Sequence, residues 1–141
     1  MLLPDVNILI GAHRQDAVDH VQHRAWLESI VNGDEVFGIS ELVLSAMIRI
    51  VTLPGVFDPP SEITEALAFA DSVRSSPACI AVQPGPRHWE IFSRLCKESR
   101  VRGNLVPDAY LAALAIESGS EWITMDGDFA RFDGLRWSRP F

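Results

Sequence analysis

The sequence is poor in several things, and each shortage excludes something. Of its 141 residues only two are cysteine, Cys79 and Cys96. Two are too few for a disulfide framework, so a reducing compartment, and with it a cytoplasmic location, is expected. No apolar run approaches the roughly 18–20 residues of a membrane span, so no membrane association is expected. The apolar start lacks the basic flank of a secretory signal and carries Asp5 and Asn7. Repeats, low-complexity tracts and linkers are absent, so residues 1–141 read as a single domain large enough to bury a core. A glycine-rich phosphate loop is also missing. Lysine occurs once, at Lys97, and 12 basic residues face 19 acidic ones for a net charge of −7. That balance excludes a protein that coats nucleic acid through a basic surface. It leaves room for an enzyme that reaches nucleic acid through metal ions, because a hard divalent cation requires acidic ligands.

What is present alternates short apolar runs with longer helical stretches. Strands are expected at Met1–Val6, Val36–Ile39, Ala78–Val82, Glu121–Thr124 and, as an edge, Leu135–Trp137. Helices are expected over Ile8–His13, Val18–Val31 and Glu41–Leu53, then Glu62–Arg74, Arg87–Arg100 and Pro107–Ser118. Val21, Trp26, Leu27 and Ile30 form the expected inner face of the second helix. Trp89, Phe92, Leu95 and Cys96 form that of the fifth. Ser40 and Ser61 are expected caps, and Gly127–Phe132 a short helix or turn. Such alternation implies an α/β fold with a parallel sheet covered on both faces, whose ligand site lies beyond the carboxyl ends of the strands.

Five acids fall at that end. Asp5 ends the first strand and Glu41 follows the second. Asp108 begins the helix before the fourth strand, and Asp126 and Asp128 follow that strand. Singly, each has an ordinary reading as a helix-dipole or turn residue. Together they would repel one another, a cost that a divalent cation removes. With oxygen ligands alone the ion is Mg²⁺, or Mn²⁺ in its place, rather than zinc. The chemistry that follows is hydrolysis of a phosphodiester by metal-activated water. A run of Arg87, Arg94, Lys97, Arg100 and Arg102 holds five of the 12 basic residues in sixteen positions. It is either a phosphate-steering patch for RNA or a solvated helix face.

Four segments carry a family likeness. Leu3-Pro4-Asp5-Val6-Asn7-Ile8-Leu9, Ser40-Glu41-Leu42, Pro107-Asp108-Ala109-Tyr110-Leu111-Ala112-Ala113-Leu114-Ala115 and Thr124-Met125-Asp126-Gly127-Asp128-Phe129 resemble, in order, the motifs of the PIN-domain family, in particular the VapC-type toxins of bacterial toxin–antitoxin pairs. The resemblance implies a three-layer α/β/α sandwich with a central, mainly parallel sheet of four or five strands. It implies a Mg²⁺-dependent endoribonuclease that cuts tRNA or ribosomal RNA and inhibits translation, a small antitoxin partner, and a homodimer. Its catalytic quartet would be Asp5, Glu41, Asp108 and Asp126. Asp5 and Asp108 would be the principal metal ligands and Asp126 would complete the cluster. Glu41 would hold metal or position water, and Asp128 would either bind metal or orient Asp126. Asn7 and Thr124 would hydrogen-bond the ligating carboxylates. Pro4, before Asp5, removes a backbone donor and predicts a short or irregular first strand.

Other residues read as structural. His20 and His23 lack the further ligands of a zinc site. Cys79 and Cys96 read as small buried hydrophobes. Trp26, Trp89 and Trp122 read as core, Trp137 less so; stacking on bases would need exposure beside the acids. Ile50–Phe57 could leave apolar surface for a dimer or antitoxin, with burial the default. Three other classes fit less well. A phospho-acceptor receiver domain needs a lysine after its last strand, whereas Lys97 is mid-helix. A haloacid-dehalogenase-type phosphatase needs an aspartate where Asn7 stands. A catalytically silent RNA- or partner-binding module on the same scaffold is disfavoured by the retained acids.

Overall fold

Asp5 decides how the chain begins. Its carboxylate accepts the Val6 N–H at 2.6 Å, which caps a helix and ends the strand at Pro4. The computed structural model describes residues 1–141 as β1 (Leu2–Pro4), α1 (Val6–His13), α2 (His20–Val31), β2 (Phe37–Ile39), α3 (Glu41–Val51), α4 (Ile63–Arg74), β3 (Cys79–Ala81), α5 (His88–Glu98), α6 (Leu105–Ser118), β4 (Glu121–Ile123), a 3₁₀ turn (Gly127–Arg131) and β5 (Trp137–Ser138). The first strand is thus shorter, and the first helix earlier, than the apolar pattern alone suggests. Helix α6 begins two residues before Pro107. A proline is tolerated there because the first N–H groups of a helix have no intrahelical partner anyway. Ser61 does not cap α4, whose N-cap is Glu62 with no side-chain bond. Its hydroxyl instead meets His13 Nε2 at 3.0 Å and accepts from Arg14 at 3.2 Å.

The five strands form one all-parallel sheet in the order β3-β2-β1-β4-β5. Pro4 shapes its centre. The Asp5 N–H bonds the Ile123 carbonyl of β4 at 2.9 Å, so the alternate residue Pro4 would donate toward β2 and cannot. Accordingly β1 pairs with β4 at three positions and with β2 only at Leu2↔Phe37. Helix α1 packs on α2 and α3, α3 on α4, and α5 on α6. The register puts Leu3 and Trp122 on one face of the sheet and Phe37 and Ile39 on the other, and all four are buried in one continuous core with Met47 and Val51 of α3. Helix α6 turns Ala109, Ala112 and Ala113 inward, and such small side chains let its axis lie close to its neighbours.

Two histidines correct the expected helix faces. On α2 Val21 is 74% exposed and His23 is buried. Its Nδ1 bonds the Asp19 carbonyl at 3.0 Å, and its ring lies so near Gly11 that a Cβ there would sit 2.6 Å from it. On α5 the inner stripe is His88, Ile91 and Leu95, because His88 Nε2 bonds the Tyr110 carbonyl at 2.9 Å. That rotates Trp89 outward to 69% exposure. Trp122 is buried, and Trp26 and Trp137 are half-buried. Leu53 and Val56 are exposed, whereas Phe57 is partly covered by the Arg14 guanidinium, 4.5 Å above its ring. No helix is long and apolar enough to cross a membrane.

Candidate active site

In a parallel sheet every strand points its carboxyl end to the same edge. Here the chain steps from β1 outward to β2 on one side, and later to β4 on the other. The crevice for a ligand opens where that direction switches, beyond β1 and β4. Asp5 stands there, 4% exposed. Thr124, just past β4, donates its hydroxyl to Asp5 Oδ2 at 2.6 Å, and Asn7 Nδ2 donates to the same oxygen at 3.0 Å. Asn7 Nδ2 also donates to Thr124 Oγ1 at 3.0 Å, and the Asp126 N–H does so at 3.0 Å. The Met125 N–H reaches Asn7 Oδ1 at 3.1 Å. Thr124 thereby uses its one proton and both acceptor positions, and Asn7 uses both amide protons. Residues 117 and 119 positions apart in sequence are locked into one knot, and the Asp5 carboxylate has one orientation.

The electrostatics match this burial. Desolvation pushes the Asp5 carboxyl from 3.8 up to about 6, against the lowering effect of the Thr124 and Val6 hydrogen bonds. The charges of Asp108 and Asp126 raise it further. Asp108, in the first turn of α6, is also raised, first by desolvation and then by Asp126, with Arg131 opposing. Asp126 caps the 3₁₀ turn by accepting the Asp128 N–H at 2.8 Å. Asp128 is exposed, and its carboxylate lies 3.9 Å from Arg131. No three of the acids and histidines are close enough to hold one ion as they stand. Asp5 and Asp108 open into a groove of about 600 Å³ between α3, α5 and α6, and Asp126 acts electrostatically on both acids.

Glu41 does not join them. It is the first residue of α3, as its place after β2 suggests. However, the phase of that helix aims Glu41 with Leu44, Ser45 and Ile48 toward α4, where it pairs with Arg74 at 3.1 Å. The opposite face, Leu42, Ala46 and Arg49, lines the groove. Arg87, Arg94, Lys97, Arg100 and Arg102 do not line it either. Arg94 is tied to Glu98 at 2.9 Å, and the other four are exposed on α5 or near its ends. The sequence offered two overlooked signals for the groove. Arg49 is the sole base in an otherwise apolar stretch of α3, and Tyr110 stands two residues after Asp108 on α6, facing Phe92 of α5.

Fold and site together define a class, the parallel α/β domain with an acidic site at its switch point. Comparison with known proteins supplies the family. Residues 2–135 match the family model described as PIN domain, and the chain belongs to that family. It is 41% identical to ribonuclease VapC43 of Mycobacterium tuberculosis over 140 residues, covering 99% of this chain and 95% of the relative. It is 38% identical to ribonuclease VapC25 of the same organism, covering 99% of each. Among solved structures it resembles VapBC2 from Rickettsia felis bound to a promoter DNA fragment, with a TM-score of 0.71, 18% identity and coverage of 98% and 97%. It also resembles Mycobacterium tuberculosis VapC20, described as a Sarcin-Ricin loop cleaving toxin, with a TM-score of 0.67, 18% identity and coverage of 96% and 99%. These two similarities bear on the fold.

Proposed function

We propose that the chain is a metal-dependent endoribonuclease and the toxin of a toxin–antitoxin pair. The observation that carries this is Asp5: a buried carboxylate at the switch point, fixed by Thr124 and Asn7 and raised toward the neutral form by desolvation and by Asp108 and Asp126. Keeping such a group charged costs free energy that a nearby cation offsets. The donors are all oxygen, which suits Mg²⁺ or Mn²⁺. Asp5, Asp108 and Asp126 would hold the ion, with Asp128 beside them. When bound, it would supply charge neutralisation and an activated water for attack on a phosphodiester. Thr124 and Asn7 keep the Asp5 lone pairs aimed, and Arg131 tempers the charge of Asp108. Glu41, paired with Arg74, lies outside this set.

The relatives are named VapC ribonucleases, and the solved neighbours include a VapBC pair. These names support RNA as substrate; we extend this to cleavage of tRNA or ribosomal RNA, with arrest of translation and growth as the outcome. They support a small cognate antitoxin as partner; a homodimer is the expected form. The test is incubation of purified, antitoxin-free protein with total bacterial RNA in Mg²⁺ or Mn²⁺, and again with EDTA. Discrete EDTA-sensitive fragments, absent with Asp108→Asn, are expected. No cleavage by a folded protein in either metal would overturn the assignment in favour of a binding module.

A further inference from the structure

Beside the two groove carboxylates stands a set of aromatic side chains that packing alone does not explain. Phe92 of α5 and Tyr110 of α6 line the groove, their rings 5.5 Å apart at 69°. Trp89 lies outside the groove lining but adjoins Phe92, with ring centroids 5.4 Å apart, and is 69% exposed. An indole left in water next to an active groove forgoes burial that its size would make favourable. His88 holds the set in place from below, its ring 4.3 Å from that of Tyr110 and bonded to the Tyr110 carbonyl. On the α3 wall of the same groove Arg49 is the only basic side chain, and it takes part in none of the ion pairs.

We propose that this groove is a nucleotide subsite: Phe92 and Trp89 stack an unpaired base of single-stranded RNA next to the cleaved bond, and Arg49 takes its phosphate. The proposal rests on the nuclease reading above and adds the residues that choose the substrate. Flat faces accept any base only once it has left its helix, so such a platform selects unpaired over paired RNA. A free guanidinium supplies the cation that a polyanion needs when it approaches an acidic site. About 600 Å³ is within the range of small-ligand sites. A peptide or a second copy of this chain would also cover an apolar rim. Single-strand, duplex and dimer measurements separate those occupants from RNA.

The probe is a labelled eight-nucleotide single-stranded RNA of mixed sequence, with the same sequence as a duplex, titrated in EDTA so that nothing is cut. Single-stranded RNA is expected to bind and to quench tryptophan emission, and the duplex to bind much more weakly. Trp89→Leu should lose most of the quench and roughly tenfold in affinity, and Trp89→Phe should recover the affinity. Arg49→Ala should lose a similar amount, with Arg49→Lys intermediate. In Mg²⁺, Trp89→Leu should raise KM more than it lowers kcat. Unchanged single-strand affinity in both Trp89→Leu and Arg49→Ala, with melting temperatures at the wild-type value, would overturn the subsite. So would equal affinity for the duplex, or a dimer that dissociates in Trp89→Leu while RNA affinity holds. In each case cleavage abolished by Asp108→Asn would still stand, so the two readings fail separately.

Discussion

Asp5 and Glu41 start from the same place and end in different environments. Asp5 directly follows β1 as the cap of α1, and Glu41 follows β2 after the single cap residue Ser40 as the first residue of α3. Asp5 is 4% exposed, held by Thr124 and Asn7, and raised to about 6. Glu41 is exposed and faces Arg74 across a helix pair. A strand end gives an acid its address on the sheet edge; the phase of the following helix decides which groove it enters. Asp5 precedes its helix and points back over the sheet as a cap, so its direction is set locally. Glu41 is inside its helix, so its direction follows the packing of α3 on α4.

The sharpest way to break this comparison is to neutralise both acids. Asp5→Asn is expected to lower RNA cleavage by at least about a hundredfold, since loss of mere hydrogen-bond partners of a metal ligand already costs roughly 10–100-fold. Glu41→Gln should stay within about twofold, read from initial rates on the same RNA. Next in size is an effect on stability. Because the folded Asp5 carboxyl titrates near 6 rather than 3.8, the folded state binds that proton more tightly than the unfolded chain does. This contribution is present below about pH 4 and is lost as pH rises to about 6, a change of up to about 3 kcal/mol in metal-free buffer. Urea unfolding in EDTA at pH 4.5 and pH 7 should show a larger loss in the wild type than in Asp5→Asn, which keeps only the contribution of the raised Asp108 carboxyl; parallel slopes would contradict it. Thr124→Val, which leaves Asp5 Oδ2 with Asn7 alone and strands the Asp126 N–H, should cost roughly 10–100-fold in cleavage. The smallest effect belongs to the other acid: Arg74→Ala breaks an exposed pair and should change stability by less than about 1 kcal/mol.

Much of this was readable in the sequence. The strand–helix alternation, the parallel sheet and the positions of Asp5, Asp108, Asp126 and Asp128 follow from local signals: a cap, a proline, a turn. The effect of Pro4 was legible too, as a strand that pairs poorly with β2. What stayed hidden depends on contacts between distant elements. Val21 and Trp89 read as inward, yet His23 and His88 each find a backbone carbonyl and are buried, which rotates Val21 and Trp89 outward. Ser61 read as a cap and is instead taken by His13 and Arg14. Glu41 read as one of the grouped acids because spacing records position along the chain and not the facing of a helix.

The most direct test of the division between the two acids reads metal binding without catalysis. Mn²⁺ binding would be measured by calorimetry at pH 7.5 and pH 5 for the wild type, Asp5→Asn and Glu41→Gln. The wild type and Glu41→Gln should bind alike at pH 7.5 and weaken together at pH 5, where protons compete for Asp5 and Asp108. Asp5→Asn should lose binding at both. Loss of Mn²⁺ binding in Glu41→Gln equal to that in Asp5→Asn would contradict the account.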